Sequence, residues 1–590
     1  MTRKICILVG VFLCLFSSLV MGAAEVYPLE DVYPGLKGIG KTVVQGTEIE
    51  EFDVEVITVI QQPAPVSAMI MVRVSGDAIE RSGGIASGMS GSPVYVDGKL
   101  LGAISHAYEY SDHRVGLVTP AGPMLALLDN LTVPELDVPE GFQEIATPIA
   151  VSGLEGRSLN KLRQVFEPFN VQVIPGVSGM VEMDAPAVLE PGAAFAVQLL
   201  RGDFQVAAFG TITEIDEQNR FVGFGHSFLH QGDINFFAAP AVIHYTMRNL
   251  EVPYKIASAG ESVGGVFQDR TAGVAGMLNV EPDYVPINIT VSDLDRGRAD
   301  VYRVESVADE MLMPAMAISS AGQGIDSTLD RVGSGTAYVR FEFYADNLLN
   351  PVIRENMFYS SADIAAWALS DLSEGLDLLM GNNLQHIELN RINANFTIEN
   401  ARRTAEIEKA IPRKFQVEAG GSVEIEVRIR PYRSSVETRV LRIDIPEDTM
   451  PGLLPVTVRG GLSGYYPVKP TVHTTWESLQ EQEAVEGWRE PTDAESLDIL
   501  LAEYMNRERN NEIVVEFLPF IDAPAEYDFD YNDSEIFPFD EETIPISEVV
   551  MLEQDFGVGQ QENSGSDGIR VRLTTQYVIE GSATFEIEVI

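Results

Sequence analysis

The stretch from Gly83 to Gly102, GGIASGMSGSPVYVDGKLLG, leaves this part of the chain few folding options. Glycines 83, 84, 88 and 91 let the backbone turn sharply and disfavour a helix. Val94-Tyr95-Val96 and Leu100 to Ile104 then flank Asp97-Gly98, a two-residue turn that signals an antiparallel hairpin. Upstream, Phe52, Val54, Val56 and Thr58 alternate with acidic or apolar neighbours, and Ala68 to Val74 is a compact β-type run. From 26 to about 130 the chain therefore reads as strands and turns, and 131–150, with three prolines, as a connector.

The remainder continues mainly in β. Short strands are expected from 151 to 345, with one helix near Ser306 capped through Asp309. Helices are predicted at Ser360 to Met380 and Glu399 to Ala410, making 346–411 a helical connector. Val423, Ile425, Val427 and Ile429 line one face of a strand, so 412–470 reads as a β-sandwich module. The last part, 471–590, is an acidic region with a helix at Thr492 to Asn506, an irregular stretch from Asp522 to Asp555, and terminal strands from Gly568.

Residues 1–24 have Arg3 and Lys4, an apolar run from Ile5 to Met21, and then Gly22, Ala23 and Ala24. That is the layout of a secretory signal peptide; an uncleaved membrane anchor is the alternative. Both cysteines, Cys6 and Cys14, lie in it, so the mature chain would have none and would rely on its cores alone. No later segment is long and apolar enough to span a bilayer, which predicts an exported protein of the periplasm or medium. A formal charge of −48 repels phosphate backbones and excludes a nucleic-acid partner.

Two motifs mislead. Gly35 to Thr42 matches the phosphate-binding pattern G-x-x-x-x-G-K-T, yet two prolines precede it and a strand follows, so it reads as a glycine turn entering a strand. Asp528, Asp530 and Asn532 open like a calcium loop, but Asp533 replaces the required glycine and Phe539 the bidentate glutamate. No histidine grouping has zinc spacing, and neither metal nor cofactor is expected.

The chemistry lies in Gly88-Met-Ser90-Gly-Ser-Pro93, which matches the order around the nucleophile of chymotrypsin-type β-barrel peptidases. Glycines beside Ser90 let a substrate carbonyl approach, and the amides of Gly88 and Ser90 can form an oxyanion hole. A nucleophilic serine needs a base, and His226, in Gly-Phe-Gly-His-Ser-Phe, stands in a tight turn suited to reaching across a cleft. His106 lies on the outgoing hairpin strand and reads as cleft wall.

Glu80 to about Leu128 resembles the SpoIVB-type serine peptidase domain family, exported bacterial peptidases. Gly210 to Phe228 and Gly264 to Gly276 resemble further segments of it, so the likeness touches about 30 to 345. The resemblance implies Ser90 as nucleophile, His226 as general base, and a chymotrypsin-like double β-barrel. Residues 25–130 would be its serine-bearing half and 151–345 its histidine-bearing half. The order of serine and histidine segments is swapped relative to the family's sporulation peptidase. The position of the family's acid is Ser75 here, leaving Asp77 or Asp233 to orient the imidazole. The implied function is a serine endopeptidase acting on protein or peptide substrates; the alternative is an inactive peptidase-fold scaffold or binding protein of the envelope.

Overall fold

The computed structural model describes residues 25–61, 68–108, 112–129, 142–144, 147–169, 171–176, 188–249, 251–461, 496–517, 560–564 and 568–590. The expectations for the leader at 1–24, and for 522–555 with its Asp528 pattern, lie outside these residues. The chain divides into two compact units, one of Met1–Val285 with Val304–Ser319, the other of Pro286–Arg303 with Ser320–Ile590.

In the first unit, strands β1 (Lys37–Val43), β2 (Ile49–Ile60) and β3 (Met69–Ser75) precede the short helix α1 (Asp77–Ser82). Strands β4 (Pro93–Val96), β5 (Lys99–Tyr108) and β6 (Val115–Pro120) follow. Pairing runs β4-β1-β2-β3-β6-β5 and returns to β4, a closed six-stranded antiparallel barrel. The alternation in β2 sets its inside: Phe52, Val54 and Val56 are buried while Glu51, Asp53 and Glu55 are exposed. The hairpin turn is as expected, with Asp97 and Gly98 both at positive φ (49° and 80°) and Val96 opposite Lys99. Gly38 to Thr42 lies in β1 and pairs with β2, so the phosphate-loop look-alike is a strand.

Three small strands, β7 (Phe142–Glu144), β8 (Ile149–Ser152) and β9 (Val173–Pro175), lead to a second ring. Its members are β10 (Ala194–Gly202), β11 (Gln205–Ile215), β12 (Arg220–Gly223), β13 (Gly232–Met247), β15 (Gly264–Arg270) and β16 (Gly273–Leu278), while β14 (Tyr254–Ala259) pairs with β13 alone. The order β10-β13-β15-β16-β12-β11 closes on β10, a second six-stranded barrel. Phe221, Phe195, Phe224, Phe228 and Phe236 form a continuous ring-to-ring series with centroids 5.2 to 6.5 Å apart, a large apolar burial for this core. The unit is thus a chymotrypsin-like pair of barrels.

The expected helix after Ser306 starts later. Ser306 lies in the strand Arg298–Val307, and the Asp309 carboxylate accepts the N–H groups of Met311 (3.0 Å) and Leu312 (2.8 Å) to cap Leu312–Leu329.

The second unit contains the antiparallel strands Val352–Ser360, Gly335–Ala345 and Leu389–Glu399 and the helices Ile364–Ala368 and Ser370–Met380. The helix predicted over Glu399 to Ala410 is corrected: Leu389–Glu399 and Thr404–Pro412 are strands, because Ala405, Ile407 and Ala410 bury one face against a neighbouring strand despite helix-favouring Glu and Lys between them. The helical part of 346–411 is therefore confined to Ile364–Met380. Thr404–Pro412, Ser422–Pro431, Glu437–Asp444 and Val578–Glu580 form one sheet of a sandwich. Gly452–Gly460, Glu512–Phe517, Gly568–Thr574 and Ser582–Val589 lie in the other. Val423, Ile425, Val427, Val456, Val515 and Ile587 share its core, so the sandwich extends beyond the expected boundaries of 412 and 470 at both ends. Among the described residues no helix is long and apolar enough to cross a membrane.

Candidate active site

Ser90 sits in two consecutive turns that share Met89. Met89 N–H bonds Ala86 O (2.8 Å), and Ser92 N–H bonds Met89 O (3.0 Å). Each turn has glycine at its third position, Gly88 at φ +91° and Gly91 at φ +87°, as a type II turn requires. The repeated Ser-Gly of the sequence is the trace of this pair. Every other main-chain hydrogen-bonding group nearby is engaged: Ser87 O accepts from Lys255 N–H (3.1 Å), Ser90 O from Thr211 N–H (2.8 Å), and Gly91 N–H donates to Ile104 O (2.8 Å). The amides of Gly88 and Ser90, by contrast, donate to no group among the described residues. Ser90 Oγ is likewise buried and has no hydrogen-bond partner among the described residues.

The two barrels meet at Gly91. A Cβ there would come 2.1 Å from Thr211 O and 2.4 Å from Phe224 N, so only glycine permits the approach. Phe224 and Gly225 both have positive φ (65° and 71°), which for a phenylalanine is a strained conformation, placed immediately before His226. Gly225 in turn packs against Ile104 O and Ser105 Cβ. The serine turn and the histidine turn thus both rest on Ile104 of β5. The turns bearing Ser90 and His226 adjoin through Gly91 and Phe224, Ser90 Oγ makes no hydrogen bond to the His226 ring, and both residues are shut from solvent, at 0% and 1% exposure.

His226 Nδ1 lies 2.6 Å from Ser227 O. A carbonyl only accepts, so Nδ1 carries the proton and a neutral ring leaves Nε2 as the basic nitrogen. Nε2 is 3.5 Å from Thr147 Oγ1. The backbone carbonyl therefore fixes the tautomer, the task a carboxylate performs in a triad. Asp77 does not reach the ring; it is exposed on the first turn of α1. Asp233 is also exposed and is held by Arg270 (2.7 Å) and Gln268 (2.8 Å).

Two residues near the site, Asp269 and Lys255, escaped the sequence reading, and the surroundings of a third, His106, were not legible in it. His106 is buried with its ring 6.1 Å from that of His226, edge to face, and is no exposed cleft wall. Burial, reinforced by the neighbouring imidazole, pushes its pKa down to about 3. Its Nδ1 is 2.8 Å from Ser105 Oγ, Ser105 is 2.8 Å from Thr119 Oγ1, and Thr119 donates to Gly225 O (2.7 Å). Thr119 Oγ1 is the donor toward both Ser105 Oγ and Gly225 O, sharing one proton, and Ser105 Oγ donates to Leu117 O (3.3 Å), which leaves His106 Nδ1–H to donate to Ser105 Oγ. Asp269, buried in β15, accepts the N–H groups of Phe228 (2.7 Å), Leu229 (2.8 Å) and Gln231 (3.3 Å), clamping the loop after His226. Burial raises its pKa, and those N–H groups oppose the rise. Lys255 of β14 is buried against Gly88. Asp269 falls within the Gly264 to Gly276 segment, so a signal for it existed; nothing in the Tyr-Lys-Ile-Ala run marked Lys255.

Residues 19–125 match the family model described as the SpoIVB peptidase S55. The match takes in the first barrel and Ser90 and ends well before His226. This part of the chain is similar to a SpoIVB-type serine peptidase, in agreement with the resemblance in the sequence. No curated protein and no solved structure matches the chain.

Proposed function

We propose that the protein is an exported serine endopeptidase with Ser90 as nucleophile and His226 as general base. The carrying observation is the unpartnered Ser90 hydroxyl in a turn pair whose Gly88 and Ser90 amides also lack acceptors among the described residues. Buried polar groups are nearly always satisfied, so three such groups together suit a site that an incoming carbonyl completes. Ser90 Oγ forms a bond to the peptide carbonyl carbon while its proton passes to His226 Nε2, and the two amides receive the oxyanion. The C–N bond then breaks, the amine leaving with the proton from Nε2. Water repeats the sequence on the acyl ester and frees the acid. Substrates are proteins or peptides, and the leader at 1–24 directs the chain to the periplasm or medium.

A second reading, an inactive scaffold or binding protein that keeps the barrels, is favoured by one observation: Ser90 and His226 are buried without a bond between them. Hydrolysis requires the region to open and the two side chains to close on each other. A fluorophosphonate reporter decides between the readings. The expected result is a covalent adduct on Ser90, absent in Ser90→Ala and strongly slowed in His226→Ala; a folded wild type that takes up no label supports the scaffold.

A further inference from the structure

The serine turns are held from one side by a single lysine. Lys255 Nζ lies 2.9 Å from Gly88 O and 3.2 Å from Thr42 Oγ1. Its stem covers Gly88, where a Cβ would come 3.0 Å from Lys255 Cδ, and its main-chain N–H bonds Ser87 O. We propose that Lys255 is a positioning residue of the oxyanion loop, holding the carbonyls of Ser87 and Gly88 so that the N–H groups of Gly88 and Ser90 stay aimed at the substrate carbonyl. The inference rests on Ser90 being the nucleophile.

The N–H and C=O of a trans peptide point in opposite directions. Fixing Ser87 O therefore fixes the Gly88 N–H, and Met89 O, held by Ser92, fixes the Ser90 N–H in the same way. The peptide joining these two is Gly88–Met89. At Gly88 the backbone has a glycine's freedom, and inside the loop this peptide is tied only through Met89 N–H to Ala86 O (2.8 Å), so its carbonyl side depends on groups outside the loop. The holders are Lys255 Nζ and Thr211 Oγ1 (3.2 Å), both on Gly88 O.

The lysine's surroundings agree with a donor's role. Burial is the sole cause pushing its ammonium down to about 7, with no carboxylate countering it. A methionine would fill nearly the same space without that desolvation; what it lacks is the donor.

The test measures fluorophosphonate labelling of Ser90 in full-length wild type, Lys255→Met and Thr211→Val, separating the maximal labelling rate from the half-saturating probe concentration, with thermal midpoints alongside. The phosphonyl oxygen occupies the oxyanion position, so Lys255→Met is expected to lower the maximal rate about a hundredfold. Half-saturation should stay within about twofold, since probe binding does not use these amides. The thermal midpoint should be unchanged or raised. Thr211→Val should lower the same rate by a smaller factor. A wild-type maximal rate in folded Lys255→Met overturns the assignment. Should Lys255→Met fail to fold, an unchanged rate in Thr211→Val overturns it equally, and a lowered one upholds it. Wild type that takes no label at Ser90 removes the nucleophile reading and this one with it, an outcome distinct from a labelled wild type beside an unaffected variant.

Discussion

His106 occupies a place that disfavours a charged ring, through burial and through the neighbouring imidazole of His226. Its Nδ1–H is committed to Ser105, and the ring that meets it edge to face is another imidazole. The folded pKa of about 3 stands below the ordinary value of 6.5, so in the window between them the unfolded chain binds the proton and the folded one does not. Stability from this residue is complete above about 6.5 and declines as pH falls toward 3. His106→Phe removes the titrating group while leaving a ring in the space. It should cost stability at pH 7.5, where the Ser105 bond is lost, and the deficit should shrink by about 2 kcal/mol by pH 5. Urea midpoints of wild type and variant at the two pH values check this; a deficit that stays constant shows that His106 is already solvated or charged in the fold. Ser90 and its flanking glycines could be read from the sequence because a tight turn writes its φ requirements locally. His106 and Lys255 could not, because what surrounds them is set by strand register across two barrels, at separations of more than a hundred residues.

At the scale of elements the same contrast holds. The Asp97-Gly98 hairpin and the alternating strand at Val423 to Ile429 carry their structure in adjacent residues. Thr404–Pro412 does not: Glu406, Glu408 and Lys409 have helix-favouring propensity, and only the sheet partner Ser422–Pro431 decides the outcome. In the second unit a buried charge cluster ties three elements together in a way that no periodicity announces. Arg354 Nε donates to Asp371 Oδ2 (2.8 Å), Asn356 donates to the same oxygen (2.9 Å), and Arg354 Nη1 and Nη2 reach the carbonyls of Arg507 (2.5 Å) and Glu508 (3.1 Å). Strand Val352–Ser360, helix Ser370–Met380 and the chain after helix Leu497–Asn506 meet there. Arg354 is 2% exposed and Asp371 4%, so solvent screens little. Asp371→Ala leaves the guanidinium buried without its carboxylate and should cost about 3–5 kcal/mol. Replacing both members by apolar residues should restore much of that loss, because the second substitution removes the stranded charge. A double-mutant comparison by denaturant unfolding reads both, and a cost below about 1 kcal/mol for the single change would mean that water reaches the cluster.

Over the whole molecule, net charge outweighs any local pairing. If every Lys and Arg engaged one carboxylate, the formal charge of −48 would still remain unopposed. Exposed local pairs exist, such as Arg413 with Glu426, but each contributes at most about 1 kcal/mol. The surplus repels itself across the surface, and the repulsion is relieved when the chain expands. Salt acts on the two contributions in opposite senses. Raising ionic strength from 0.01 to 0.1 M shortens the screening length from about 30 to about 10 Å, which weakens long-range repulsion among the surplus acids more than contacts at about 3 Å. The thermal midpoint should therefore rise with sodium chloride across this range, and an equimolar choline salt should do the same, since screening depends on charge and not on a specific ion. A midpoint that falls would mean that the ion pairs outweigh the surplus. Approach of a substrate responds in reverse, because the negative field that strains the fold also draws in positively charged peptides. On the proposed function, association of a lysine-rich peptide with the Ser90→Ala protein should slow as salt is added while the same salt stabilises the fold. Stopped-flow association and calorimetry on one preparation separate the two responses, and parallel trends would sink the shared electrostatic cause.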